Sequence, residues 1–312
     1  MMAKKVHFLI DDVIWVLRDL TRDRPASVFD HPLLATLKKC HERAGLKVQL
    51  NLFYRTDSFY GEEEFTLADM TDAYREEWAS ASDWLRMAFH AKEEWPDYPY
   101  VNATYEDVYR TFRAVEREVF RFAGEGTFTY GYCPHFNSVS LAGVKALYDC
   151  GVRVMDVSAG DAVEYDEATS TLSGAHYIRL LHNRQPETRV YTRGGKYSTT
   201  GDSLCSYNHL STKQLEETLR VMDTVFDEKT GMHFKKFHLP IMTVNMMELD
   251  EIESTMAPFM NDEYVGVCTH EQYVHSHYFA HQPDWAEKLE KMAEVLYKNG
   301  YTHIFAEEIL EK

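Results

Sequence analysis

Two aspartates stand side by side at positions 11 and 12, directly after a short apolar run at 6–10. Adjacent carboxylates repel one another unless a cation or a shared proton relieves them, so the pair asks for a partner. Imidazoles follow comparable apolar runs further along. His90 follows 85–89, His135 sits in Cys133-Pro134-His135 after 128–132, His238 follows 234–237, and His270-Glu271 closes the run at 265–268. Asp156 and Asp161 fall at or just past 153–157. Carboxylate oxygen with imidazole nitrogen is the ligand set of zinc and similar divalent ions. The segment His90-Ala91-Lys92-Glu93-Glu94 spaces an imidazole and a carboxylate by four residues, and on a helical turn both would reach one ion. Taken singly, each residue has a plainer explanation: an aspartate caps a turn, and a lone histidine is a satisfied core residue. Their weight comes from occupying the same place relative to successive strands.

Those strands are eight short apolar runs, at 6–10, 47–52, 85–89, 128–132, 153–157, 234–237, 265–268 and 302–306, alternating with longer segments of helical period. The alternation is that of a parallel α/β fold, and eight is the number that closes a barrel. We therefore expect a distorted, TIM-like (β/α) barrel of seven or eight parallel strands, with the site at their carboxyl ends. Asp30 before Pro32, and Gly45, bound the first helix. Thr66 with Asp69, and Thr104 with Asp107, read as capping boxes with Asp in place of Glu, the second opening a helix whose Val108, Phe112, Val115, Val119 and Phe122 share one face. Further helices are expected over 138–150, from Ser211 or Thr212 through Phe226, and from Pro283 to Gly300. The stretch 160–208 breaks the alternation. It is polar and rich in Gly and Thr, with β-type runs at 177–181 and 189–192, and predicts a β-type lobe inserted at about 160–210 after the fifth strand, at the rim of the site. No repeat or linker divides the chain, so 1–312 reads as one barrel domain.

Composition narrows the partners. With 33 Lys+Arg against 50 Asp+Glu the formal charge is −17, and the basic residues cluster only as pairs such as Lys4-Lys5, Lys38-Lys39 and Lys235-Lys236. Such a surface repels phosphate backbones and anionic headgroups, which excludes nucleic acid and polybasic membrane binding. A hydrophobic content of 45% excludes disorder over most of the chain. Five cysteines, none in a CxxC pair, read as reduced thiols. The apolar run at 6–10 is too short for a signal peptide or a membrane span, so the expectation is a soluble, cytoplasmic protein. Aromatic-rich stretches at 95–100 and 273–278 suit stacking on sugar faces as well as loop packing.

The Asp-Asp after strand one, the His after strand three, the Pro motif after strand four, the strand-five Asp, and the strand-seven His followed by a helix and a last Gly-Tyr-X-X-Ile-Phe strand resemble the polysaccharide deacetylase family (NodB-like, carbohydrate esterase family 4) over nearly the whole chain outside the insertion. That resemblance implies a distorted barrel that uses a divalent metal, commonly zinc, to remove acetyl groups from N-acetylated sugars. Leu9-Ile10-Asp11-Asp12 is similar to the family's Thr-Phe-Asp-Asp, which implies Asp11 as general base and Asp12 as metal ligand. Phe89 to Glu94 is similar to the motif with two metal-binding histidines four apart; Glu94 stands in the second position, so the implied ligands are Asp12, His90 and Glu94. Tyr132-Cys133-Pro134-His135 falls where the family has Arg-X-Pro, and the arginine that would orient Asp11 is missing. Pro134 and His135, with Asp161, are the implied substrate-side residues, and His135 or an arginine of the insertion could replace the missing partner. Val267-Cys268-Thr269-His270 is similar to Leu-X-His, which implies that His270 protonates the leaving amine. The substrate implied is a small molecule or oligosaccharide. Two alternatives stand beside it: an inactive barrel that binds carbohydrate or a protein through the same pocket, and a metal-dependent hydrolase of a non-sugar amide.

Overall fold

A strand flanked by parallel neighbours buries both faces and reads as one continuous apolar run. β1 (Lys4–Val13) does so, fully buried from Val6 onward. The computed structural model describes residues 4–56, 63–94, 99–100, 103–135, 139–158, 164–166, 171–173, 224–237 and 243–311. Within these, α1 (Trp15–Asp23), α2 (Pro32–Ala44), β2 (Val48–Phe53), α3 (Arg75–Ser80), β3 (Leu85–Ala91), α4 (Tyr105–Phe122), β4 (Gly131–Tyr132), α5 (Leu141–Asp149) and β5 (Val154–Ser158) follow β1 in βα alternation. β6 (Glu164–Asp166) and β7 (Thr171–Ser173) form an antiparallel pair inside the stretch expected as an inserted lobe. The rest of that stretch, with Asp161, both β-type runs and the start of the helix expected from Ser211 or Thr212, lies outside the described residues. β8 (Thr224–Asp227), β9 (Met232–Phe237), α6 (Ile252–Met256), β10 (Tyr264–His270), α7 (Trp285–Lys298) and β11 (Tyr301–Ile304) complete the order.

The strands form two main sheets. In one, β10-β1-β2-β3 run parallel, with β11 paired to the start of β1; in the other, β4-β5-β9 are parallel and β8 is an antiparallel edge. Isolated parallel bridges, Met87 to Phe128 and Thr243 to Cys268, link the sheets at either side. A closed barrel of eight strands is not formed among the described residues, for a geometric reason. β1 pairs directly with β10 over seven residues, from Lys5↔Tyr264 to Asp11↔His270, so the last strand cannot lie between them. β11 instead pairs with Lys4–His7 and shares β1 with β2, which takes over from Leu9.

Two helix expectations change. Phe226 belongs to strand β8, because Thr224-Val225-Phe226 pairs with Lys235, Phe234 and His233 across a tight turn at 227–231, where Gly231 has φ +74°. The cap of α2 is His31, whose Nδ1 accepts from the Leu33 N–H, while Asp30 closes a capping box with Ser27 one turn earlier. The expected boxes at Thr66/Asp69 and Thr104/Asp107 are present. Helices α4 and α5 cover one side and α2 and α7 another, over a core with Phe8, Phe89, Phe112, Phe122, Phe234 and Trp78 fully buried. α1 is held by a side chain from another element. The fully buried Glu271 accepts the N–H groups of Ile14, Trp15 and Val16, three of the four orphan donors at that helix start, so β10 and β1 end at the same level.

Candidate active site

In a regular strand, neighbouring side chains point to opposite faces, so Asp11 and Asp12 could not both serve one site. The register shows how they do. Ile10 pairs with Leu50 and Val13 with Leu52, leaving Asp11 and Asp12 opposite the single residue Asn51, and Asp12 has φ +65° in the left-handed region. A second shift lies beside it: Leu52 pairs with Phe89 and Phe53 with Ala91, so His90 is the extra residue of β3. Both bulges fall on residues singled out by type, which is how a sheet re-aims side chains at a site.

Asp12, His90 and His135 converge, each offering a ligand atom within 4.8 Å of the others, and all three are buried. His90 Nε2 is 3.2 Å from Asp12 Oδ1, His135 Nδ1 is 3.4 Å from the same oxygen, and the two nitrogens are 3.1 Å apart. Main-chain carbonyls at the far side of each ring decide which nitrogens carry hydrogen. His90 Nδ1 lies 2.9 Å from the Cys133 carbonyl and His135 Nε2 lies 3.0 Å from the Glu94 carbonyl, and a carbonyl only accepts. In their neutral forms both rings therefore turn a lone pair toward Asp12 Oδ1, itself a buried oxygen without a hydrogen-bond donor. Three acceptors at these separations need a positive charge among them. The donor set, two nitrogens and one carboxylate oxygen with carbonyls behind the rings, fits a divalent ion of the zinc type.

The two aspartates are driven apart electrostatically. Burial raises the Asp11 carboxyl above its ordinary value, outweighing the nearby His90 and His270, with Asp12 adding to the rise. Burial also acts on Asp12, but the His90 contact and the fields of His135 and His270 outweigh it and hold that carboxyl far below the usual range. For His90, burial lowers the imidazole and the charges of Asp11 and Asp12 more than offset it, so it is raised. Two neighbouring carboxylates held in opposite directions is the pattern that separates a base from a permanent anion. Asp11 Oδ1 accepts from Asn51 Nδ2 at 2.6 Å and lies 3.9 Å from His90 Nδ1. His270 is its register partner on β10. Asn245 Oδ1 accepts from both Thr269 Oγ1 and His270 Nδ1, at 3.1 and 3.0 Å, so the ring carries a hydrogen on Nδ1 and Nε2 is the nitrogen this contact leaves free for another partner.

Of the residues singled out in the sequence, Asp11, Asp12, His90, His135 and His270 meet at one end of the sheet. The Glu94 carboxylate lies outside the three-residue cluster. Residues 92–94 bend rather than continue as a helix, so the spacing of four does not bring it beside His90. Its Oε2 instead accepts from Gln272 Nε2 at 3.1 Å, and the same amide reaches Asp12 Oδ2 at 3.0 Å. Pro134 is buried in the turn that carries His135. Asp161 and His238 lie outside the described residues. Asp156 pairs with Lys235 deep in the second sheet. Asn51, Asn245 and Gln272 were missed because amides carry no charge signal, although Gln49 and Asn51, polar and alternating within an apolar strand, mark one face of β2.

No family model and no curated protein matches the sequence. Among solved structures the chain is similar to a 4-α-glucanotransferase from Thermococcus litoralis, at a TM-score of 0.53 and 11% identity, covering 100% of this chain and 41% of the other. It spans about two fifths of that enzyme's length, and at this identity the likeness is one of fold. Carbohydrate deacetylases and esterases make up most of the other similar structures, all at TM-scores below 0.5. They include a carbohydrate deacetylase at 0.49 and 9% identity, covering 99% of this chain and 53% of that one. An acetyl xylan esterase from Clostridium thermocellum, solved with a cobalt ion, matches at 0.40 and 10%, covering 98% and 90%.

Proposed function

We propose that this chain is a divergent member of the polysaccharide deacetylase family, a distorted barrel that hydrolyses the acetamide of an N-acetylated sugar or a related neutral amide with a divalent ion, most simply zinc. The observation that carries this reading is the convergence of Asp12 Oδ1, His90 Nε2 and His135 Nδ1, with both imidazole lone pairs turned inward by main-chain carbonyls. These three residues would hold the ion, His135 taking the place that the sequence resemblance assigns to Glu94. Such an ion supplies polarisation of the acetyl carbonyl and acidification of the attacking water. Asp11, with a raised carboxyl and one oxygen tied to Asn51, accepts the proton of that water. His270, oriented by Asn245 through Nδ1, delivers a proton from Nε2 to the departing nitrogen. Gln272 bridges Asp12 and Glu94 and keeps the two carboxylates apart. Pro134 shapes the turn that carries His135, and Asp161, outside the described residues, is assigned to the substrate side on the sequence resemblance alone.

Metal analysis of the purified protein, and acetate release from N-acetylglucosamine oligomers by wild type and Asp11→Asn, test the reading. A protein with no bound divalent ion, whose thermal stability is unmoved by zinc or cobalt, would sink it. Equal acetate release from the Asp11→Asn variant would exclude Asp11 as base.

A further inference from the structure

A file of buried polar side chains runs from the second sheet, through β1 and β2, to Asp11. Lys235 on β9 is fully buried; its ammonium contacts Asp156, the Tyr264 hydroxyl at 2.9 Å and His7 Nδ1 at 2.9 Å. His7 Nε2 lies 3.1 Å from Gln49 Oε1, Gln49 Nε2 lies 2.7 Å from Asn51 Oδ1, and Asn51 Nδ2 lies 2.6 Å from Asp11 Oδ1. His7, Gln49, Asn51, Asp156 and Lys235 all have no solvent exposure.

Chemistry allows this file one direction only. An ammonium has no lone pair, so His7 Nδ1 accepts, and the neutral ring carries its hydrogen on Nε2 and donates to the Gln49 carbonyl. A carboxylate only accepts, so Asn51 presents its amide nitrogen to Asp11 and its carbonyl to Gln49, whose own nitrogen must then be the donor. Reasoning from the cation and from the anion assigns the same orientation to every amide and ring. Burial and the adjacent ammonium hold His7 neutral, in keeping with its double role. Links that all donate toward one end polarise one another, and in a dry interior the effect is larger than in water.

We propose that Lys235, His7, Gln49 and Asn51 are positioning residues for Asp11: a one-way hydrogen-bond chain, anchored by the Lys235–Asp156 ion pair, that holds the base in place of the arginine absent before Cys133-Pro134. The inference rests on the functional reading above and specifies its base. The chain fixes Asp11 Oδ1 and leaves Oδ2, which the Cys133 thiol approaches at 3.9 Å, as the oxygen that takes the proton.

The test uses the full chain loaded with zinc. Gln49→Met fills the same space but cuts the middle link, and Gln49→Glu keeps the acceptor for His7 while removing the donor to Asn51. The paired variant Lys235→Met with Asp156→Leu removes the cationic end without leaving a lone buried charge. Each is expected to lower kcat per folded molecule by about 10- to 100-fold, the usual loss for a partner behind a working group, with KM and zinc affinity within about twofold of wild type. A purely structural role would lower the melting temperature and leave kcat of the folded fraction unchanged, and that result in Gln49→Met would overturn the proposal. If wild type with zinc releases no acetate, the functional reading fails by itself. The chain is then read from a thermal double-mutant cycle between Gln49→Met and Asp11→Asn. Non-additive melting shifts support the coupling, and additive ones overturn it.

Discussion

Replacing His135 by alanine separates the ligand set proposed from the convergence of Asp12, His90 and His135 from the one suggested by residue spacing. His135 Nδ1 is one of three inward ligand atoms, 3.4 Å from Asp12 Oδ1 and 3.1 Å from His90 Nε2, whereas the Glu94 carboxylate is bridged to Asp12 by the Gln272 amide. Loss of a partner behind a ligand typically costs about 10- to 100-fold in metal affinity, so loss of a ligand itself should cost about 100-fold or more. Zinc at about 100 times the wild-type Kd stabilises the folded state by about 2.7 kcal/mol. For a chain of 312 residues, an unfolding entropy of about 2.1 cal/mol/K per residue amounts to about 0.65 kcal/mol/K, which converts this to a rise of about 4 °C. In His135→Ala the same zinc concentration sits near or below Kd, contributing about 0.4 kcal/mol or less, so the rise should shrink to under about 1 °C. Glu94→Gln should keep most of the rise, because its main-chain carbonyl still receives His135 Nε2. Differential scanning calorimetry with and without zinc reads all three proteins. A full rise in His135→Ala together with its loss in Glu94→Gln would refute the assignment and restore the ligand set expected from spacing.

Three further outcomes follow from buried features elsewhere. His303 is 3% exposed, and burial lowers its imidazole to about 3. Because the unfolded chain binds that proton near pH 6.5, stability should fall by about 1.4 kcal/mol per unit as pH drops from 6.5 toward 3, about 2 kcal/mol by pH 5. Urea unfolding of His303→Leu should show a shallower slope over that window, and an unchanged slope would exclude His303 as a source. A Cβ on Gly131 would meet Ala306 Cβ at 2.2 Å and Gln49 Oε1 at 3.1 Å, so Gly131→Ala should cost about 1–3 kcal/mol in denaturant stability; a neutral result would mean that the turn at 306–310 shifts freely. Glu271→Ala strips three N–H groups at the start of α1 of their acceptor and should cost about 3 kcal/mol or more, with Glu271→Gln losing less because its amide oxygen still accepts; equal stability of the two would contradict capping as the cause.

All eight expected strands are present with ends moved by a few residues, because a buried parallel strand must be apolar throughout and that pattern is local. The capping boxes at Thr66 and Thr104 were legible for the same reason, since both partners lie within four residues. Phe226 was misread as helical because only its pairing with His233, across the turn, makes it a strand residue. The count of apolar runs led to an expected distorted barrel of seven or eight strands, but a count carries no information about which edge of β1 is occupied by β10.

In the candidate site, residue type at strand ends was enough to single out Asp11, Asp12, His90 and His270, because chemistry at the carboxyl ends of parallel strands follows from topology. Which third group joins Asp12 and His90 was decided by tertiary structure alone. The bend at 92–94 turns the Glu94 side chain aside, and the same residue's carbonyl fixes the His135 ring. Two bulges, each one residue of extra length, bring Asp11, Asp12 and His90 to a common side; such a register shift depends on pairing between strands about 40 residues apart. The inward lone pairs, and the one-way file from Lys235 to Asp11, depend likewise on partners distant in the chain. A sequence determines which atoms can donate or accept; only the fold decides which of them are left facing one another without a hydrogen between them.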